Sequence, residues 1–149
     1  MAKDVKDEKI VVIDGTDLIM GRLGSTIAKR LLMGESFKIV NCKDVVILGR
    51  KSFLVQRYKN KISNKVTKQG PYYSRSPSDI VKRAFRNMLP YKNERGAAAF
   101  RRLKCYNSTP STLVSAEKET LENATLNNEE VFYYTRVGEL SKALGYVKE

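Results

Sequence analysis

The feature that most restricts the fold is a change of hydrophobic period near the start of the chain. Lys9 to Ile13 reads Lys-Ile-Val-Val-Ile, a nearly continuous run of β-branched residues that Asp14-Gly15 breaks. Such a run is a buried strand, in a sheet covered on both faces. From Leu18 to Met33 the spacing turns helical. Leu23, Ile27 and Leu31 recur every four residues with Met20, Ala28 and Leu32 beside them, Arg22, Lys29 and Arg30 face away, and Gly34 supplies a stop. Phe37 to Val40 is strand-like again. Strand, helix and strand within about 30 residues make a βαβ unit, whose strands pair in parallel through a right-handed crossover. The fold class that follows is α/β.

The rest of the chain extends this pattern. Val45 to Leu48 reads as a third strand, Lys51 to Lys59 as a helix with Phe53, Leu54 and Tyr58 as its apolar contacts. The stretch from Lys61 to Ser76 has little periodicity and a Gly70-Pro71 break, so residues 59–76 are expected to include an extended basic loop. Ser76-Pro77-Ser78-Asp79 is a helix start: Ser76 can cap, Pro77 suits the first helical position, and Asp79 completes a capping box. In that helix Ile80, Val81, Ala84, Phe85, Met88 and Leu89 form one face and Lys82, Arg83 and Arg86 another. Pro90 ends it and Asn93 can cap the next, in which Gly96-Ala97-Ala98-Ala99 allows close approach and Phe100 and Leu103 anchor the inner side. Leu103 to Tyr106 reads as a fourth strand, Ser111 to Asn128 as polar and irregular, and Val137 to Leu144 as a short helix packing through Leu140 and Leu144.

At 149 residues the chain is expected to be one domain, with residues 1–9 a flexible N-terminus and residues 111–149 a C-terminal extension. It contains no histidine, which removes the side chain whose ordinary pKa lies nearest neutrality, and with it triads, Cys-His dyads and most zinc or iron sites. Catalysis is therefore not expected, nor is a metal or any other cofactor. Cys42 and Cys105, the two cysteines, read as small, partly buried thiols. Met1 to Lys9 lacks a signal-peptide core, and no run approaches the roughly 18 apolar residues of a membrane helix, so a cytoplasmic location is expected. The sequons at Asn107 and Asn123 accordingly read as chance matches.

The charge is unevenly placed. The chain carries 28 Lys or Arg against 16 Asp or Glu, a formal net charge of +12. Met1 to Gly49 is close to neutral at +1, Cys105 to Glu149 is −3, and the intervening 55 residues from Arg50 to Lys104 hold 16 basic and 2 acidic residues, a net of +14. A block of that kind repels itself unless a polyanion neutralises it. Nucleic acid fits. A membrane surface fits less well, because the basic residues are not gathered into one amphipathic helix. Tyr58, Tyr72, Tyr73, Tyr91 and Tyr106 are interleaved with the cations, and tyrosine can stack on an unpaired base while arginine forks onto phosphate.

Two other motifs have simpler explanations. Gly15, Gly21 and Gly24 follow a strand, but the dinucleotide fingerprint needs Gly-x-Gly-x-x-Gly directly after it, and here Gly21-Arg22-Leu23-Gly24 lies inside the helical pattern. Asp14, Asp17 and Asp44 lie near strand ends, where turn formation and capping account for them without acid–base or magnesium chemistry.

Three stretches resemble a known family. Gly70-Pro71-Tyr72-Tyr73-Ser74-Arg75-Ser76-Pro77, Arg83-Ala84-Phe85-Arg86-Asn87-Met88-Leu89-Pro90-Tyr91-Lys92, and Arg95-Gly96 with Arg102-Leu103-Lys104-Cys105-Tyr106 are similar to the central signature of the universal large-subunit ribosomal protein L13 family. Val12-Ile13-Asp14 to Gly21-Arg22-Leu23-Gly24-Ser25 and Val40-Asn41-Cys42 to Gly49 resemble its first βαβ unit, and Val137-Gly138-Glu139-Leu140-Ser141-Lys142 is similar to archaeal members. The resemblance implies a parallel four-stranded α/β sheet flanked by helices, binding to large-subunit rRNA, a part in early subunit assembly, contact with neighbouring large-subunit ribosomal proteins, and no catalytic activity.

On this reading the RNA contacts come from Arg50, Lys51, Lys59, Lys61, Lys65, Lys68, Tyr72, Arg75, Arg83, Arg86, Lys92, Arg95, Arg101 and Arg102. No membrane, small-molecule substrate or obligate homo-oligomer is expected. The alternative is a free-standing RNA-binding translational regulator using the same basic surface.

Overall fold

The computed structural model of the protein describes residues 10–126 and 131–147. The expected flexible segment Met1 to Lys9 lies outside the described residues. The opening unit forms as the change of period requires: β1 (Ile10–Asp14), α1 (Met20–Leu32) and β2 (Ser36–Val40), with β1 and β2 parallel and Ile13 opposite Ile39. Leu23, Ile27 and Leu31 are fully buried. The four-residue recurrence is thus the helix's core face.

The chain continues through β3 (Val46–Leu48), α2 (Lys51–Ser63), α3 (Pro77–Asn87), α4 (Glu94–Arg101), β4 (Leu103–Cys105), β5 (Lys118–Glu119), β6 (Tyr134–Arg136) and α5 (Val137–Ala143). The main sheet is four-stranded and parallel, in the order β4-β2-β1-β5. Its membership differs from the sequence expectation. The run Val45 to Leu48 supplies not a sheet strand but β3, which pairs antiparallel with β6 in a separate two-stranded ribbon. The fourth place goes to β5, inside the stretch that reads as polar and irregular. Both its residues are exposed, so no hydrophobic period marks it; backbone pairing to Val12 and Ile13 holds it, and Arg30 reaches from α1 to Glu119 at 2.6 Å.

The two faces of the sheet are covered differently. Ile13, Phe37 and Ile39 point into one cluster with Leu23 and Ile27 of α1, Val81 and Phe85 of α3, Ala99 of α4, and Val137 and Leu140 of α5. Val12 and Val40 point the other way, against Leu113, Tyr106 and Ala116. Residues expected as a C-terminal extension therefore close one face of the sheet and add α5 to the other.

Helix starts also depart from local expectation. Ser76 and Asn93 occupy the N-cap positions, but neither side chain makes a capping hydrogen bond. The Ser78 N–H of α3 instead donates to Oδ1 of Asn107, at 2.8 Å and 29 residues away, while Asp79 accepts from the Ser74 hydroxyl at 2.8 Å. The capping acceptor is supplied by the strand exit after β4. Two glycines permit close packing: a Cβ on Gly24 would lie 2.6 Å from Met88 Sδ and 2.7 Å from Phe85, and one on Gly96 would lie 2.0 Å from the Pro90 carbonyl oxygen. The close approach at Gly96 is thus to the turn preceding its own helix.

Candidate nucleic-acid interface

The basic block of the sequence becomes α2, α3, α4, the start of β4 and a loop. Helix α2 runs to Ser63, so Lys59 and Lys61, expected within the loop segment, are helical. The reason is a stripe at four-residue spacing: Leu54 is buried, and Tyr58 and Ile62 pack against the core behind it. Phe53, expected as a contact, is 64% exposed. The loop occupies residues 64–76, pinched where the Val66 N–H donates to the Gly70 carbonyl and the Gly70 N–H to the Val66 carbonyl, each at 3.0 Å.

Helix α2, the loop and α3 converge on an open cavity of about 420 Å³. Lys61, Tyr72, Arg83 and Arg86 of the predicted set line it, together with Tyr58, Tyr73, Lys82 and Phe100. A second concavity of about 330 Å³ adds Lys65 and Arg75 and shares Tyr72, Tyr73 and Ser74 as a common wall. Six of the predicted positions are therefore gathered in one region.

In the first cavity the cations lie on rings rather than beside carboxylates. The guanidinium of Arg83 is 3.7 Å from the centroid of Tyr73 and donates to the Tyr72 carbonyl at 2.8 Å. Lys61 lies 5.1 Å from the ring of Tyr58, Lys82 5.3 Å from that of Phe100, and Arg86 5.0 Å from that of Tyr91. Among the described residues none of these four cations has a carboxylate within salt-bridge distance. Cation–π contacts leave the positive charge uncompensated, so the region retains the charge that attracts a polyanion. Burial pushes the Tyr58 phenol above its ordinary value, keeping the ring neutral.

The remaining predicted positions lie apart. Lys59, Lys68, Lys92 and Arg101 are exposed. Arg50 sits 4.5 Å from the ring of Tyr133, and Lys51 pairs with Glu139 at 3.2 Å. Arg102 donates to the carbonyls of Leu31 at 2.6 Å and Glu35 at 3.3 Å, and Arg95 to that of Leu32 at 3.3 Å. These two arginines satisfy carbonyls at and just beyond the C-terminal end of α1, where unpaired acceptors and the helix dipole favour cations.

Tyr58, Tyr73, Lys82 and Phe100 line the cavity but are absent from the predicted set, although both tyrosines stand among the interleaved aromatics. Lys82 stands four residues before Arg86 on the cationic face, a legible signal. Phe100 gives no such signal, because an aromatic at that spacing reads as core.

The acidic and thiol groups have structural surroundings. Burial raises the Asp14 carboxyl, but hydrogen bonds from Thr16 and Asn41 outweigh it and hold the group below its ordinary value. Asp17 pairs with Arg136 at 2.8 Å. Cys42 is buried, and its hydrogen bonding with Cys105, together with burial, keeps the Cys105 thiol well above its ordinary value. Cys42 is buried and Cys105 partly buried, in line with the expectation of small thiols that pack as hydrophobes.

Comparison with known proteins agrees with the residues that carry the resemblance. The family model described as "Ribosomal protein L13" matches residues 8–112. The large ribosomal subunit protein uL13 of Methanopyrus kandleri is 38% identical over 147 residues, covering 97% of this chain and 92% of that protein. That of Archaeoglobus fulgidus is 41% identical over 140 residues, covering 93% and 90%, and that of Methanococcoides burtonii 42% identical over 137 residues, covering 91% and 98%.

Proposed function

The chain belongs to the ribosomal protein L13 family, and from that premise we propose that it is a non-enzymatic constituent of the large ribosomal subunit in the cytoplasm, holding large-subunit rRNA and supporting early subunit assembly. The observation that carries the RNA contact is the cavity region between α2 and α3, where Lys61, Lys82, Arg83 and Arg86 face rings and have no carboxylate partner among the described residues.

The body of the domain supplies rigidity and the basic segment supplies the contacts. Helices α2 and α3 are fixed by their buried faces, which positions the cations before RNA arrives. The exposed lysines of the loop, Lys65 and Lys68, add charge that RNA can order on binding. Phosphate contacts set position and most of the affinity, and RNA shape and unpaired bases set specificity. If about six to ten cations each neutralise a phosphate, affinity falls by orders of magnitude as salt rises. Arg95 and Arg102 reach RNA only with the donors that the carbonyls of Leu31, Leu32 and Glu35 leave over.

Sedimentation of lysate tests the proposal: the chain co-migrates with large subunits at near one-to-one stoichiometry, whereas a free regulator stays in the light fractions. The double variant Arg83→Glu, Arg86→Glu should lose occupancy. Wild-type occupancy by that variant would remove the α3 face from the interface.

A further inference from the structure

The first cavity holds more than phosphate binding requires. A surface that only tracks a backbone can rely on exposed cations, as Lys65 and Lys68 are. Here the cations are half-buried and layered with rings: Lys61 with Tyr58, Lys82 with Phe100, and Arg83 with Tyr73. The Nε–H of Arg86 is buried and has no acceptor among the described residues. Buried donors in folded proteins are almost always paired, so the Arg86 guanidinium keeps hydrogen-bonding capacity that the described residues do not use. The cavity's own carboxylate, Asp79, is engaged by Ser74. A volume of about 420 Å³ exceeds what a bare phosphate fills and lies within the roughly 300–1,000 Å³ range of organic-ligand pockets.

Resting on the RNA-binding reading above, we propose that this cavity receives one unstacked nucleotide of the RNA. Its phosphate is taken by Arg86 with Lys82 and Lys61, and its base stacks on the layer that Arg83 and Tyr73 form. Ring faces and guanidinium planes are the two surfaces on which proteins stack splayed-out bases. Arg83 is prepared for this, since its bond to the Tyr72 carbonyl holds it in place. The adjoining concavity with Lys65 and Arg75, which shares the Tyr72–Ser74 wall, gives the next nucleotides of the strand a cationic path. A free mononucleotide would have no use for that path.

Zero-length ultraviolet crosslinking of purified large subunits carrying the full chain, read by mass spectrometry of peptide–nucleotide adducts, tests this. The expected result is an adduct on Tyr58, Tyr73 or Phe100. Arg86→Gln should lower its yield roughly tenfold relative to adducts on the loop, the effect of losing one charge-assisted hydrogen bond. Lys82→Gln, a second variant on a half-exposed side chain, should lower it in the same direction, with thermal melting of both variants as the check on folding. Subunits that contain the chain and crosslink through the loop, but with no adduct on the three rings, overturn the nucleotide site and leave RNA binding intact. An adduct that neither folded variant weakens overturns it as well. Absence of the chain from large subunits overturns the RNA reading itself. Adenosine monophosphate crosslinking to the free chain as efficiently as the RNA does in the subunit makes a free nucleotide the ligand and overturns the assignment to RNA.

Discussion

The guanidinium of Arg83 lies 3.7 Å from the ring centroid of Tyr73 and donates at 2.8 Å to the carbonyl of Tyr72. This pair ties the basic loop to α3. A partly desolvated cation–π contact contributes about 1–2 kcal/mol, and a charged hydrogen bond a comparable amount. Arg83→Ala should therefore release the loop in the free protein. Tryptic cleavage after Lys65 and Lys68 should accelerate by about tenfold or more, since each 1.4 kcal/mol of opening free energy is a factor of ten. Cleavage at the wild-type rate would show that the contact does not restrain the loop.

The cap of α3 gives a second prediction. Because Asn107 Oδ1 accepts from the Ser78 N–H, Asn107→Ala should cost about 1 kcal/mol, whereas Ser76→Ala, which removes no capping acceptor, should cost a few tenths. Urea unfolding reads both, as a shift in midpoint at constant slope. Equal costs, or a larger one for Ser76, would return the cap to its local position.

Two glycines three residues apart in α1 behave oppositely in space. A Cβ on Gly21 meets nothing within 4 Å, whereas one on Gly24 meets Met88 and the buried ring of Phe85 below 3.0 Å. Gly21→Ala should stabilise by roughly 0.5–1 kcal/mol through helix propensity. Gly24→Ala should destabilise by about 1–3 kcal/mol through overpacking between α1 and α3. Thermal melting of the two single variants checks the opposite signs.

The Asp14 carboxyl is held below its ordinary value of 3.8 by Thr16 and Asn41, against the upward push of burial. A folded-state value below the unfolded one means that the ionised group contributes stability above the unfolded value. That contribution disappears as pH falls through the folded value. The difference in melting temperature between wild type and Asp14→Asn should be constant from neutral pH down to about pH 5 and shrink below pH 4. A difference independent of pH in that range would show that the carboxylate's charge is not what the turn uses.

The contrast between α3 and β5 shows what could be read from residues alone. On α3 the apolar and cationic faces follow from helical period, and Ile80, Val81, Phe85 and Leu89 are buried. For β5, two exposed residues carry no period at all. The extension of α2 past Lys59 follows a four-residue spacing of Leu54, Tyr58 and Ile62, a signal that the surrounding polar and basic residues weaken.

The sequence by itself determined the parallel βαβ core, the faces of α1 and α3, and the placement of +14 in one segment, because period and charge are properties of neighbours along the chain. Tertiary structure alone decided that Asn107 caps α3, that Lys118 and Glu119 complete the sheet, and that Arg102 faces α1 carbonyls while Arg83 and Arg86 line a cavity. Those outcomes depend on groups tens of residues apart meeting at hydrogen-bond distance. Only the packed core, by fixing which strand exits beside which helix end, selects among the partners that local chemistry leaves equivalent.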